Sequence, residues 1–152
     1  MQEIAFTALV HGVYVVTTRL EDVVNGMTAS WVSQVSLKPL LVMVSIAMPR
    51  YSHDLIKKSG VFAINVLDRD QADLGKRFGF KSGRQVDKFA GLEWTTGTTG
   101  APILPQACAY LDLRLKDTFP AGDHTLFLGE VVDAKILHPQ AQPLVFKKSD
   151  FF

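Results

Sequence analysis

The pattern of apolar and polar positions predicts a chain built mostly from β-strands. Residues 13–18 form a β-branched run, residues 40–47 are apolar on both alternating faces, and residues 61–67 form a further apolar run. Apolar and polar side chains alternate in residues 110–116 and around residues 127–132, with a short turn between the two segments. This alternation predicts a long β-hairpin with one solvated face.

Two short helices interrupt the strands. Ser52 is the predicted N-cap of the first helix and Gly60 its stop, because small hydroxyl residues start helices and glycine ends them. Residues 70–78 predict a second helix with one apolar face, which ends at Gly79. Residues 3–11 are compatible with one or two helical turns.

Turn and loop signals separate these elements. A turn is expected to begin at Glu21-Asp22, and Asn25-Gly26 predicts a second reversal before an extended segment. Lys38-Pro39 breaks that segment, and residues 79–91 and 97–105 predict ordered surface loops. Six or more strands with two short helices in this order predict a mainly antiparallel barrel, with the helices at its ends or rim.

Composition narrows the class of protein. The 152 residues suit a single domain, and 47% hydrophobic with 20% charged residues is a globular composition. The formal net charge of +1 gives no global attraction to nucleic acid or anionic lipid, and no apolar run is long enough to span a membrane. The first twenty residues lack a secretory pattern, so we expect a cytoplasmic protein.

Metal chemistry is not expected. The single cysteine, Cys108, excludes an internal disulfide and a multi-cysteine metal site, and it is expected to be a buried thiol. The four histidines show neither HxxxH nor HExxH spacing, and the sequence contains no GxSxG elbow, P-loop or GxGxxG fingerprint. A bound nucleotide would therefore be held in another way.

Residues 25–36 are too polar and too small for plain core, although strongly apolar segments flank them on both sides. Thr28, Ser30 and Ser33 offer hydroxyl groups, and Gly26 and Ala29 leave the backbone open to a flat ligand. An ordinary half-buried strand with a polar face has the same pattern, so both interpretations stay open. In the apolar run that follows, the hydroxyl of Ser45 needs either a backbone partner or a ligand.

Two further groups of residues are candidates for binding. Arg50, Ser52 and His53 surround the predicted helix start, where free N–H groups and a guanidinium suit a phosphate, although a simple cap with a solvated arginine is the alternative. His124 follows a turn, where it is either solvated or placed at the mouth of a pocket. Trp31 and Phe89 are either core residues or platforms for a ring system.

Taken together, these segments resemble the flavin reductase-like family of FMN-binding split barrels. The residues that carry the resemblance keep the family's order and spacing over nearly the whole chain. They are the strand of residues 13–18, Asn25-Gly26-Met27-Thr28-Ala29-Ser30-Trp31, Pro39 before the strand that ends in Val44-Ser45-Ile46-Ala47, Arg50-Tyr51-Ser52-His53, Ser82-Gly83-Arg84, Asp87-Lys88-Phe89-Ala90-Gly91, Gly100-Ala101-Pro102, and Gly122-Asp123-His124 with Gly129-Glu130-Val131. The resemblance implies one flavin reductase-like domain over residues 1–152, folded as an antiparallel, Greek-key-like split β-barrel with short flanking helices.

The resemblance also implies a site for FMN or FAD. The flavin ring would lie along the extended segment that contains residues 27–30, and residues 45 and 46 of the next strand would line it. The phosphate would lie at the start of the first helix, and the loop that contains residues 88 and 89 would close over the cofactor. The implied cofactor-binding residues are Met27, Thr28, Ala29, Ser30, Trp31, Ser45, Ile46, Arg50, Ser52, His53, Lys88 and Phe89. His124 matches the position associated with the nicotinamide nucleotide and is the implied catalytic residue, positioning the substrate.

The implied activity is hydride transfer from NAD(P)H to the flavin, in a homodimer that supplies a monooxygenase or another electron acceptor. The alternative is an FMN-binding electron-transfer protein without its own nicotinamide reaction, and a third hypothesis is a flavin-free barrel. The sequence leaves open NADH or NADPH, FMN or FAD, flavin as prosthetic group or substrate, and the physiological acceptor.

Overall fold

A computed structural model describes residues 2–152 of the chain. Its elements occur in the order α1 (Gln2–Phe6), β1 (Tyr14–Leu20), β2 (Val23–Ala29), β3 (Val32–Ser36), β4 (Leu41–Ala47), α2 (Tyr51–Ser59), β5 (Val61–Val66), α3 (Ala72–Gly79), β6 (Thr95–Thr96), β7 (Pro102–Ile103), β8 (Ala109–Ala121), β9 (His124–Ile136) and α4 (Lys148–Phe151). The prediction of a mainly antiparallel β protein with few short helices is confirmed.

Seven strands form one antiparallel sheet in the order β2-β1-β5-β8-β9-β4-β3, and β6 pairs with β7 separately. The two edge strands, β2 and β3, are consecutive in the chain, and β2 also contacts β4. The backbone N–H of Ser45 in β4 donates to the carbonyl of Trp31, between β2 and β3, at 3.0 Å. The sheet therefore curls until its two ends meet.

The main core lies inside this curl. Strands β1, β2, β4, β5, β8 and β9 all contribute to it, and Ile56 of α2 packs against them from the end. Its largest fully buried side chains include Phe62, Phe127 and Ile46. A second cluster covers the outer face of β1, where Phe78 of α3, Phe89 and Phe151 pack together. The strand that carries the candidate binding residues is thus supported from both faces.

The first reversal occurs where Glu21-Asp22 predicted it, with Glu21 at a φ of 55°. The turn predicted at Asn25-Gly26 is wrong, because both residues lie inside β2 and pair with Thr18 and Thr17. Gly26 is needed for close packing, since a Cβ there would lie 2.8 Å from the ring of Phe78. The glycine thus brings a helix onto the strand.

Helix α2 begins two residues earlier than predicted. Arg50, with extended φ and ψ of −66° and 138°, is its N-cap, and Ser52 lies inside the helix. The prediction of Ser52 as the N-cap is therefore wrong. Its hydroxyl is buried and accepts a hydrogen bond from Asn25 Nδ2 at 2.8 Å. Gly60 ends the helix as predicted, with a φ of 71° and its N–H on the carbonyl of Ile56.

The remaining elements shift only at their ends. Helix α3 begins at Ala72 and includes Gly79, and the N-terminal helix is limited to Gln2–Phe6. The predicted hairpin is present as β8 and β9, and its turn consists of Gly122 and Asp123. Residues 80–91 form the predicted loop, whereas Pro102–Ile103 of the second predicted loop is a short strand.

Cys108 is buried as expected, and burial raises the pKa of its thiol. Of the helices in residues 2–152, none is both long enough and apolar enough to cross a membrane.

Candidate functional site

Three clefts open along strand β2 and meet at Arg50. The aromatic cleft, about 350 Å³, is lined by Val13, Thr28, Ala29, Ser30, Arg50, Gly75, Gly79, Phe80, Phe146, Phe151 and Phe152. The histidine cleft, about 270 Å³, is lined by Met27, Thr28, Ala29, Ser30, Trp31, Ser45, Ala47, Arg50 and His124. The polar cleft, about 140 Å³, is lined by Asn25, Met27, Pro49, Arg50, Tyr51, Ser52, Gly79, Phe80, Lys81, Ser82, Gly83 and Lys88.

Strand β2 separates the aromatic cleft from the histidine cleft. Thr28, Ala29 and Ser30 line both of them. The Thr28 hydroxyl already donates to the carbonyl of Gly75 in α3 at 2.5 Å, whereas Ser30 Oγ has no hydrogen-bond partner within residues 2–152. Ser33, the other predicted hydroxyl, is exposed on β3 and lines none of the three clefts. A ligand therefore meets a narrow ridge with one free hydroxyl.

Arg50 is the one residue that all three clefts share among the described part of the chain. It is partly buried, and its guanidinium has neither a hydrogen bond nor an ion pair within residues 2–152. Burial lowers the pKa of this arginine, because a charge with few water contacts is costly. Five N–H donors in a planar fork remain available, and this is an arrangement suited to phosphate or carboxylate oxygens.

The first turn of α2 places its other two predicted residues differently. Ser52 lines the polar cleft, although its hydroxyl is bonded to Asn25. The prediction that His53 holds a phosphate is wrong, since its ring is buried and lines none of the three clefts. Its Nε2 lies 2.7 Å from Thr125 Oγ1. The His53 and Phe127 rings also meet edge to face, with their centroids 5.1 Å apart.

Lys88 and Phe89 are neighbours that point to opposite sides of the loop. Lys88 lines the polar cleft, and its Nζ donates to the carbonyls of Gly26 at 2.9 Å and Phe78 at 2.8 Å. Burial, and then the positive charge of Arg50, lower its pKa to about 8. Phe89 does not cover a cleft as predicted, because its ring packs in the second core against Phe78 and Trp94.

Strand β4 shows the same alternation. Ser45 and Ala47 line the histidine cleft, whereas Ile46 between them is fully buried in the main core. Ile46 therefore does not line the cleft as predicted, since successive side chains of a strand face opposite sides. The Ser45 N–H is taken by Trp31, but its hydroxyl has no partner within residues 2–152.

His124 is the first residue of β9 and lies at one wall of the histidine cleft. Its ring centroid is 4.9 Å from that of Trp31, which is half exposed on the same cleft. His124 Nδ1 lies 2.6 Å from Asp123 Oδ1, and this hydrogen bond lowers the pKa of the Asp123 carboxyl. Since Nδ1 is engaged by the carboxylate, Nε2 is the ring nitrogen left for a ligand.

The clefts also contain residues that sequence reasoning missed. Phe80, Phe146, Phe151 and Phe152 form the walls and rim of the aromatic cleft. The density of phenylalanines at the end of the chain was the available signal, but no predicted element placed them next to β2.

The residues present fit a flat ring that carries a phosphate. An unpaired guanidinium and the Lys88 ammonium face the polar cleft, and a ridge of small side chains with free polar atoms borders two larger clefts. Cationic groups in one compartment and apolar walls in the next match a phosphorylated heteroaromatic ligand.

Comparisons with known proteins agree with this chemistry. Residues 6–152 match the family model described as the flavin reductase like domain. The chain is 38% identical over 144 residues to the high molecular weight rubredoxin of Moorella thermoacetica, covering 93% of this chain and 62% of that protein. The chain thus spans less than two thirds of that relative's length.

Two further relatives are covered more fully. The chain is 33% identical over 141 residues to a Mycobacterium tuberculosis protein named flavin-dependent monooxygenase, reductase subunit HsaB, covering 92% of this chain and 74% of that one. The solved structure of the NADH:FAD oxidoreductase SgcE6 of Streptomyces globisporus C-1027 is similar with a TM-score of 0.88 and 31% identity, covering 96% and 87% of the two chains.

Proposed function

Since the chain belongs to the flavin reductase-like family, we propose that it binds FMN or FAD in the clefts along β2 and reduces it with NAD(P)H. The chain is a flavin-dependent oxidoreductase by this membership. The observation that carries the proposal for the site is the unpaired guanidinium of Arg50, where the three clefts meet.

Each cleft has a part in this proposal. Arg50 and Lys88 bind the flavin phosphate in the polar cleft, and Thr28, Ala29 and Ser30 support the ring system from β2. The hydroxyls of Ser30 and Ser45 and the backbone of this edge strand supply polar contacts to the edge of the ring. His124 offers Nε2 to the nicotinamide nucleotide from the histidine cleft, where it orients this second ring.

The bound flavin supplies the hydride-accepting chemistry, so the protein contributes placement, hydrogen bonds and exclusion of water. Small residues on the β2 ridge allow two flat rings to approach each other closely. Within residues 2–152, no aspartate or glutamate side chain lines the aromatic or the histidine cleft, so no general acid–base pair of side chains is assigned there.

The proposal also covers the oligomeric state, the electron acceptor and the cellular location. We propose a homodimer, supported by the exposed apolar side chains of Ile4, Phe6, Leu9 and Val10 near the N-terminus, which a second copy would cover. We propose a monooxygenase component or another electron acceptor as partner, supported by the reductase-subunit name of the Mycobacterium relative. A cytoplasmic location suits the free thiol of Cys108.

The deciding experiment is a visible spectrum of the protein mixed with FMN or FAD and freed of excess, followed by anaerobic NADH or NADPH. Flavin absorbance that remains with the protein and bleaches rapidly is the expected result. If the flavin is retained but stays oxidised with both nucleotides, the chain is an electron-transfer protein, a candidate favoured by the rubredoxin name of the Moorella relative. Absence of flavin binding and of NAD(P)H turnover would contradict both functions.

Flavin affinity is expected to fall above pH 8 because of Lys88. The pKa of this lysine is about 8, so most of its ammonium groups are charged at pH 7 and progressively lose their charge as the pH rises through 8. A phosphate bound beside Lys88 favours the charged form of the lysine. The affinity for FMN is therefore highest below pH 8 and falls by up to about tenfold per pH unit above it. Titrations with FMN from pH 7 to about pH 9.5 measure this effect.

A matched pair of variants tests the assignment. Lys88→Met is expected to bind FMN more weakly at pH 7 and to lose the pH dependence, whereas Lys57→Met, at an exposed position of α2, is expected to keep the wild-type profile. An unchanged pH profile in folded Lys88→Met would remove Lys88 from the phosphate site.

A further inference from the structure

The proposed site has two halves that belong to different parts of the chain. Arg50 lies at the start of α2, and His124 lies at the start of β9. Helix α2 is fixed to β2 by the buried hydrogen bond from Asn25 Nδ2 to Ser52 Oγ. The first turn of α2 also contacts β9, through the 2.7 Å hydrogen bond between His53 Nε2 and Thr125 Oγ1. Both of these side chains are buried.

On the premise of the proposed function, we propose that His53 and Thr125 are positioning residues, which hold His124 at a fixed place relative to Arg50 for binding of the nicotinamide nucleotide. Neither residue lines a cleft, so neither touches a ligand. Their role is to join the half of the site that binds flavin phosphate to the half that binds the second nucleotide.

The partners of His53 define the direction of this hydrogen bond. Nδ1 lies 3.2 Å from Asp54 Oδ1, and an ionised carboxylate only accepts, so Nδ1 carries the proton. In the neutral ring Nε2 then accepts, and the Thr125 hydroxyl donates to it. The edge contact with Phe127 fixes the plane of the imidazole, so the threonine side chain has one orientation.

Thr125 controls His124 because they are successive residues of one strand. Their side chains point to opposite sides, Thr125 toward α2 and His124 toward the histidine cleft. His124 directly follows the two-residue turn, and its backbone pairs with Ala47 of β4 and Ala121 of β8. Thr125 adds the first buried side-chain hydrogen bond of β9 to these backbone pairings, and a change in its position moves its neighbour through the backbone that they share.

Thr125→Val tests the proposal because it keeps the shape of the side chain and removes the hydroxyl. We expect KM for NADH, or for NADPH where that is the donor, to rise about tenfold, since a lost buried hydrogen bond corresponds to a factor of this size. We expect kcat at saturating nucleotide and the Kd for FMN to stay within about threefold, because Asn25 still holds Ser52. Thr125→Ser restores the hydroxyl and is expected to restore KM.

A readout on the protein without flavin comes from Trp31. Its ring contacts His124, so the displacement of His124 is expected to change Trp31 fluorescence in a Trp94→Phe background. Thr17→Val is the matched control, because Thr17 is equally buried and its hydroxyl donates to the Pro102 carbonyl at 2.6 Å, away from the clefts. This control is expected to change stability without changing KM or Trp31 emission.

The outcomes separate the two proposals. Lack of NAD(P)H turnover in the wild-type protein contradicts the proposed function, whatever the variants do. With an active wild type, the positioning role is overturned by unchanged KM and emission in folded Thr125→Val, by the same changes in Thr17→Val, or by failure of Thr125→Ser to restore KM. Thr125→Ala is measured in the same way where Thr125→Val does not fold.

Discussion

Ser30→Trp is expected to abolish flavin binding while the protein stays folded. Ser30 lines both the aromatic and the histidine cleft, and its hydroxyl has no partner within residues 2–152. An indole at this position fills space that the ring system needs on either side of β2, so we expect at least a hundredfold loss of FMN affinity, about 2.7 kcal/mol. Titration of flavin fluorescence or absorbance measures the affinity.

The fold is expected to tolerate this change. Ser30 lies in the short connection between β2 and β3, outside the core clusters, so the thermal midpoint should shift by only a few degrees. Gln34→Trp, the same added side chain on the exposed face of neighbouring strand β3, serves as the control and should bind FMN normally. Normal flavin binding by folded Ser30→Trp would mean that the ring lies away from the β2 ridge.

Arg50→Ala is expected to weaken FMN binding by about 1.5–3 kcal/mol, which corresponds to about 10- to 150-fold in Kd. The guanidinium is already partly buried and unpaired, so part of its desolvation cost is met before the phosphate arrives and the new hydrogen bonds are gained at a lower further cost. Calorimetric titration with FMN and with riboflavin separates the contribution of the phosphate, because only the FMN affinity should fall strongly.

Two arginine variants sharpen this test. Arg50→Lys keeps the charge but loses the planar fork, so we expect an intermediate affinity. Arg84→Ala removes the same charge from a neighbouring exposed position, where the guanidinium stacks 4.6 Å over Tyr51, and is expected to change Kd by less than about threefold. Equal losses in Arg50→Ala and Arg84→Ala would indicate a general field effect instead of a phosphate contact.

The elements of the fold were predictable where one physical cause decides the local pattern. Residues 40–47 and the hairpin keep a strict alternation, and Gly60 ends α2 because only the left-handed backbone closes that helix. The prediction failed at Asn25-Gly26, where a tertiary contact decides. Gly26 makes room for Phe78, which is 52 residues away in sequence and absent from any local pattern.

Prediction of the candidate site from the sequence was likewise limited, because it located the segments but not the direction of each side chain. Motif positions identified the segments that border the clefts, and Arg50, Ser45, Trp31 and His124 lie on them. Ile46, His53 and Phe89 are next to cleft residues in sequence but face the core. One step along strand β4 turns the side chain to the opposite face, and one step along helix α2 turns it by about 100°. The aromatic wall comes from residues 146–152, whose position depends on packing against α3 and β1.

The hydrogen bonds of Lys88 have a consequence for how the molecule behaves at high concentration. Strand β2 is an edge of the sheet, and an edge with free carbonyls is a template on which another chain can add a strand and begin to aggregate. The ammonium of Lys88 occupies the Gly26 carbonyl, and α3 covers the strand beside it. A positive charge buried against an edge strand makes its pairing with a foreign strand unfavourable, so the lysine of the polar cleft also protects the protein's solubility.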